Sequence, residues 1–173
     1  MELQTQRLRL RPPIAADADD YLEICNSEFV LRYNAMTPKS REDVLNSFSR
    51  DREDTILLEL KATGKVIGAV FLEEDSLRWG VESKELSYFL REEYARQGYM
   101  KEALGAVIDK LFRRENLTCV AARAFAPNTA SRALLNSLGF HQDGYIRQCV
   151  KGYQDQIFDD TIHSLFRGEW IEN

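Results

Sequence analysis

The chain reads as an α/β domain with a mixed sheet, and three observations predict it. Two apolar, β-like runs, Thr55–Leu60 and Val66–Leu72, are separated only by a short turn through Ala62-Thr-Gly-Lys65, which makes a hairpin. Further on, Met100, Ala103, Leu104, Val107, Ile108 and Leu111 fall on one stripe at three- and four-residue intervals, with Lys101, Glu102, Asp109, Lys110, Arg113 and Arg114 opposite, which makes an amphipathic helix. A third run, Thr118–Phe125, lies between that helix and a second, shorter one. Strands that pair first as a meander and later alternate with helices imply a sheet of mixed direction with helices packed on it.

In chain order, Leu8 and Leu10 alternate with Arg7, Arg9 and Arg11 as a half-buried strand, ended by Pro12 and Pro13, which lack backbone donors. Asp17 opens a helix whose inner stripe is Ala18, Leu22, Cys25 and Phe29, with Asp19 and Asp20 at its positive end. Ser40 begins another, through about Arg52, carrying Val44, Leu45 and Phe48. After the hairpin, Glu85–Leu90 is a strand leading into the long helix. The short helix is bracketed by Asn128, a capping residue, and by Gly139 just past its end, with Phe140 folding back on the apolar side. Two terminal strands lie near Gly144–Val150 and Ile157–Phe166.

At 173 residues the chain fits one domain, 1–173, since domains of this size bury roughly 70% of the unfolded surface. A net charge of −5 argues against a chain built to grip nucleic-acid backbone and mildly favours a cationic partner such as an amine. Cys25, Cys119 and Cys149 are odd in number and widely spaced among apolar neighbours, so they read as reduced packing residues rather than as a disulfide framework or a zinc site. No secretory pattern opens the chain and no apolar run approaches the roughly 20 residues a membrane helix requires, so no membrane partner is expected and the location is read as cytoplasmic.

The chemistry concentrates where the Glu85–Leu90 strand breaks into Arg91-Glu-Glu-Tyr-Ala-Arg-Gln-Gly-Tyr-Met-Lys101. The first N–H groups of a helix have no internal acceptor, so the amides of Arg96, Gln97, Gly98, Tyr99, Met100 and Lys101, at the positive end of the dipole, can hold a diphosphate. Gly98 lets the phosphate-facing backbone come close without a Cβ in the way. A sheet-covering helix with a solvated basic start is the competing reading of the same residues.

That turn, followed about thirty residues later by Pro-Asn-Thr-Ala-Ser131 and a closing Leu-Gly-Phe140, resembles the GNAT superfamily of N-acetyltransferases. The opening Leu3–Pro13, the hairpin Lys61–Ala69 and the closing Tyr145–Trp170 resemble the branch that acetylates ribosomal-protein N-termini and its relatives of diverse substrate. The resemblance implies a mostly antiparallel six- to seven-stranded sheet flanked by about four helices. It also implies acetyl-CoA as acetyl donor, no metal, and direct attack of a primary amine on the thioester within a ternary complex. The acceptor is then a protein N-terminal α-amine or a small amine.

By the same resemblance the backbone of Tyr88, Phe89 and Leu90 lies along the pantetheine and thioester, residues 96–101 hold the diphosphate, and Asn128 contacts the pantetheine arm. Two positions depart from the family pattern: Ala95 stands where glutamine or arginine is common, and Met100 where glycine or alanine usually stands. A third departure matters more. Leu135 occupies the place of a tyrosine that often protonates the departing thiolate, so Ser131, Tyr99 or water must substitute. Glu85, at the start of the strand beside the thioester, is the first choice for a base that relays a proton through water. Glu73, Glu74, Asp75, Asp155, Asp159 and Asp160 are alternatives, and His141 and His163 match no position of the family. Trp79 and Trp170 read as packing or pocket walls.

A dinucleotide oxidoreductase would also place phosphate on a helix start, but Gln97-Gly-Tyr-Met-Lys-Glu-Ala103 lacks its glycine triad. A non-catalytic acyl-CoA sensor or interaction module is the alternative that Leu135 keeps open. A closing edge strand would also allow a homodimer.

Overall fold

The computed structural model describes residues 1–171. Eight strands form one sheet: β1 (Leu3–Gln4), β2 (Leu8–Arg11), β3 (Thr55–Leu60), β4 (Val66–Glu74), β5 (Ser83–Leu90), β6 (Cys119–Phe125), β7 (His141–Lys151) and β8 (Ile157–Phe166). Their order across the sheet is β1-β2-β3-β4-β5-β6-β8-β7. Neighbours run antiparallel except β5 and β6, which are parallel. The helices are α1 (Ala18–Cys25), α2 (Glu28–Leu31), α3 (Arg41–Arg50), α4 (Tyr99–Arg113), α5 (Thr129–Ser137) and α6 (Arg167–Ile171). A parallel pair cannot be joined by a tight turn, and α4 is the crossover that joins β5 to β6.

Each face of the sheet has its own core. Leu8, Leu10, Ile56, Leu58, Leu86 and Val120 turn toward α4 and α5, where they meet Leu104, Ile108, Leu111 and Leu135. On the other face Leu57, Ala69 and Phe89 meet Tyr21, Ile24, Val44 and Phe48 from α1 and α3. The two-residue alternation of strand side chains assigns every site residue to one face or the other.

Among the described residues the sheet holds more strands than the six to seven expected, and the α-helices number six rather than about four. The excess lies in short pieces, β1, α2 and α6, which carry too little periodic pattern to register. Three packing assignments are corrected. Phe29 is 43% exposed, because the helix assumed to reach it stops at Cys25 and restarts behind Ser27, which caps α2; Tyr21 and Ile24 are buried in its place. Cys149 is exposed on β7, whereas Cys25 and Cys119 are buried. Trp79 is 99% exposed at the tip of the β4–β5 connection, so it packs against nothing. No helix among the described residues is long and apolar enough to cross a membrane.

Candidate active site

β5 and β6 pair only from Ser83 opposite Cys119 to Leu86 opposite Ala122. Beyond that point β5 stays with β4 as far as Leu90, and β6 stays with β8 as far as Phe125. The two parallel strands therefore splay, leaving a wedge between Ser87–Leu90 and Arg123–Phe125 in which one edge of β5 has no strand partner. Such an edge offers backbone N–H and C=O groups to an extended ligand. α4 and α5 both begin where this wedge opens, so two positive helix ends face the same place. Tyr88, Phe89 and Leu90 all lie on the unpartnered stretch.

The turn before α4 takes its form from two left-handed residues, Arg96 (φ 59°) and Gly98 (φ 80°). The N–H of Glu102 is the first in the helix to find a backbone acceptor, the Gly98 carbonyl at 3.0 Å. None of the six amides from Arg96 to Lys101 donates to an acceptor among the described residues. All six lie on one continuous turn at the helix start, an arrangement suited to an anion with several oxygens.

Asn128 caps α5, its Oδ1 accepting the Ser131 N–H at 3.1 Å. The Ser131 hydroxyl in turn shares a 2.8 Å hydrogen bond with the Tyr88 phenol. Backbone and side chain of Ser131 are thus both held, at the junction of α5 and β5. Burial pushes the Tyr88 hydroxyl up to about 12, against the opposing effect of its bond to Ser131, so it remains a proton donor across the physiological range. Leu135, where a tyrosine was the alternative acid, is fully buried in the core.

Glu85 lies on the opposite face, with Phe89 and the α1–α3 side. Burial raises its pKa; Arg123 opposes this, and Glu73, Asp75 and Asp160 add to it. Glu73 is its direct neighbour across the β4–β5 ladder. Arg123, whose Nε donates to Asp160 Oδ2 at 2.6 Å, completes a cluster of alternating charge at the mouth of the wedge. On this face a cleft of about 640 Å³ runs from Asn34, Met36 and Asp54 past Phe71 and Glu73 to Ser87 and Tyr88. Its walls come from the 26–54 segment and from the strands around the β4–β5 turn.

The two histidines are engaged elsewhere. Thr161 Oγ1 donates to the Ala124 carbonyl at 2.8 Å, so it accepts from buried His163 Nε2 at 2.9 Å. His141 is exposed, 3.2 Å from Glu169. Trp170 packs against the core and donates to Asp109.

Three positions escaped the sequence reading. The Tyr88 side chain was overlooked because its strand was read for backbone alone. Gly68 lies where a Cβ would stand 2.5 Å from the Phe89 carbonyl oxygen, so only glycine lets β4 support the active stretch of β5. Arg7 reaches the α4 turn from the first strands, a pairing across 90 residues that no local pattern announces.

The family model for the acetyltransferase (GNAT) domain matches residues 7–141. An uncharacterized N-acetyltransferase of Bacillus licheniformis, p20, is 28% identical, with 97% of each chain covered. Among solved structures, a GNAT-family acetyltransferase from Bacillus anthracis superposes with a TM-score of 0.88 at 19% identity, covering 98% of this chain and 100% of that one. The ribosomal-protein-S5-alanine acetyltransferase of Vibrio fischeri superposes at 0.83 and 19% identity, with 98% of both chains covered. The spermidine N-acetyltransferase of Vibrio cholerae, solved with CoA and spermine, superposes at 0.82 and 16% identity, covering 95% of this chain and 98% of that one. With most of its length matched by the family model and 97% of it by an N-acetyltransferase relative, the chain belongs to the GNAT family and is an acyltransferase whose family draws its acetyl group from acetyl-CoA.

Proposed function

We propose that the protein acetylates a primary amine, foremost a protein or peptide N-terminal α-amine, with acetyl-CoA threaded through the wedge between β5 and β6. The observation that carries this reading is the splay itself. It joins the acceptor-free amides at the start of α4, on one face, to the carboxylate-lined cleft on the other.

The amides of Arg96, Gln97, Gly98, Tyr99, Met100 and Lys101 take the diphosphate. The open edge of Tyr88, Phe89 and Leu90 pairs with the pantetheine arm, which Asn128 flanks, and one of its N–H groups polarises the thioester carbonyl. The amine enters from the cleft and must be neutral to attack. Glu85 accepts its proton through water; a raised pKa brings a carboxylate closer to that of an N-terminal ammonium, at about 8, than to that of a lysine, at about 10.4. The amine nitrogen bonds to the carbonyl carbon, the tetrahedral species collapses, and the C–S bond breaks. Ser131 donates its proton to the departing thiolate and regains one from Tyr88, its hydrogen-bond partner at 2.8 Å, and the second proton shed by the new amide nitrogen passes through solvent to restore the Tyr88 phenol. The acid and the base then stand on opposite faces of the sheet, on either side of the reacting carbon.

A thiol-release screen with acetyl-CoA, using peptides of varied first residue and a panel of small amines, tests the reading. Steady turnover with peptides supports it. Turnover confined to polyamines would replace the acceptor, and tight CoA binding without turnover across the panel would favour a sensor.

A further inference from the structure

The opening segment takes part in none of the steps above, yet one of its side chains ends at the α4 turn. Arg7 donates its backbone N–H to Glu102 Oε1 at 2.8 Å and its Nε to Glu102 Oε2 at 2.6 Å. Thr5 Oγ1 adds a third bond to the same carboxylate at 2.5 Å. The Arg7 Nη1 donates to the Gln97 carbonyl at 2.9 Å, and the guanidinium lies over the Tyr99 ring, 4.0 Å from its centre. Nη2 lies 3.4 Å from the place that a Cβ on Gly98 would occupy. A single side chain thus meets the turn at residues 97, 98, 99 and 102.

Two consequences follow from elementary geometry and charge. In a trans peptide the C=O and the following N–H point in opposite directions. Holding the Gln97 carbonyl against Arg7 therefore turns the Gly98 N–H the other way, away from Arg7. The turn needs such a hold, because Arg96, a residue with a Cβ, is kept in the left-handed region. The second consequence concerns Glu102, a carboxylate in the first turn of α4 beside the proposed diphosphate. Arg7 and Thr5 offset its charge and occupy its lone pairs; hydrogen bonds from Thr5 and Arg7 outweigh burial and hold its pKa below the usual range. Left unpaired, that carboxylate would repel the ligand.

We propose that Arg7 is a positioning residue for the diphosphate of coenzyme A: it fixes the Gln97–Gly98 peptide with its N–H toward the ligand and offsets the charge of Glu102. The inference rests on the reading that the diphosphate sits on residues 96–101.

The test compares the affinities of the full-length protein for CoA and for pantetheine, which lacks the diphosphate, by calorimetry and by ligand-observed NMR. Arg7→Met is expected to lower the CoA-to-pantetheine affinity ratio about tenfold, the size of one charge-assisted interaction. Arg7→Met combined with Glu102→Gln should recover part of it, to within about threefold of the natural protein, because the two residues act as a unit. Arg7→Lys, which retains charge but not the fork, should fall between and serves if Arg7→Met melts at working temperature. Equal losses for both ligands would make Arg7 merely structural and overturn the inference, as would an unchanged ratio. Gly98→Glu separates the two levels: if it collapses the ratio while Arg7→Met does not, only the role of Arg7 falls. If neither variant moves the ratio, the diphosphate lies elsewhere and both readings fall.

Discussion

The two faces of the sheet offer different kinds of group to the ligands proposed for them. On the α4–α5 face the proposed cofactor groups are mostly main chain: six amides on a glycine-containing turn and the open edge of β5. On the α1–α3 face the cleft is defined by side chains, among them Asp54, Phe71 and Glu73, and much of its wall comes from the 26–54 segment, with Glu85 beside it as the ladder neighbour of Glu73. Backbone geometry tolerates many side chains, so a family can hold one cofactor while its chains diverge below 20% identity, as they do against the structures from Bacillus anthracis and Vibrio fischeri. Side-chain walls have no such tolerance. The difference teaches that the donor follows from the fold, whereas the acceptor has to be read residue by residue.

The largest effect should come from blocking the main-chain side. Gly98→Glu places a carboxylate at the phosphate nook, and a like-charge encounter of several kcal/mol should raise the dissociation constant for acetyl-CoA about 1,000-fold in calorimetry. Gly98→Ala is the control, because it carries the cost of a left-handed residue, about 1–2 kcal/mol, without the charge. If both variants lose affinity equally, strain alone accounts for the result and the contrast between the two faces weakens.

A smaller loss is expected on the side-chain face. Glu85→Gln should lower kcat about 100-fold, the usual share of a general base, with little change in the affinity for acetyl-CoA. The pH dependence carries a sign. Glu85 acts only when ionised and burial raises its folded pKa above 4.5, so kcat should fall as pH drops through that raised value, earlier than an exposed glutamate would allow. In Glu85→Gln that limb should vanish from the pH profile of kcat. A limb that survives the substitution would assign the base to another group, with Glu73 and Asp160 the nearest carboxylates.

The same contrast explains what was legible in the sequence. Helix α4 announced itself because its inner residues repeat at helical spacing, and all six of them are buried. Asn128 announced itself because helix caps have few chemical solutions, and it occupies that role, whereas Gly98 was read for close approach of a ligand to the backbone and its left-handed conformation came only with the structure. The splay could not be seen, since it depends on β6 following β8 rather than β5, a competition between distant strands. Phe29 was misplaced for a local reason: Asn26 and Ser27 break the helix after Cys25, and an apolar residue at the right interval beyond a break keeps the pattern without the packing. Arg7 and Tyr88 were read as strand residues; Arg7 lies in the bend just before β2 and Tyr88 in β5, and their tips reach partners 95 and 43 positions away.

The junction between the faces gives a subtler probe. Ser131→Ala should lower kcat about tenfold, less than the loss of the base, because water can replace a hydroxyl as proton donor to a thiolate, which is a good leaving group. Tyr88→Phe should give a similar loss if the phenol resupplies Ser131. The double variant should then lose little more than either single one, since residues acting in series are not additive. Additive losses in steady-state kinetics would mean that the 2.8 Å bond between them has no part in the reaction.

The smallest effect separates architecture from recognition at one residue. Asn128 caps α5 through Oδ1, so Asn128→Ala should cost about 1 kcal/mol in denaturant unfolding. Asn128→Asp keeps the cap and adds favourable charge at the helix start, so stability should hold or rise slightly. If the Asn128 side-chain NH₂ donates to the pantetheine arm, Asn128→Asp should nevertheless weaken CoA about fivefold, because a carboxylate cannot donate that bond. Stability and affinity would then part company in this variant and fall together in Asn128→Ala. If Asn128→Asp binds CoA as tightly as the natural protein, Asn128 belongs to the helix alone and the arm is held by the β5 backbone.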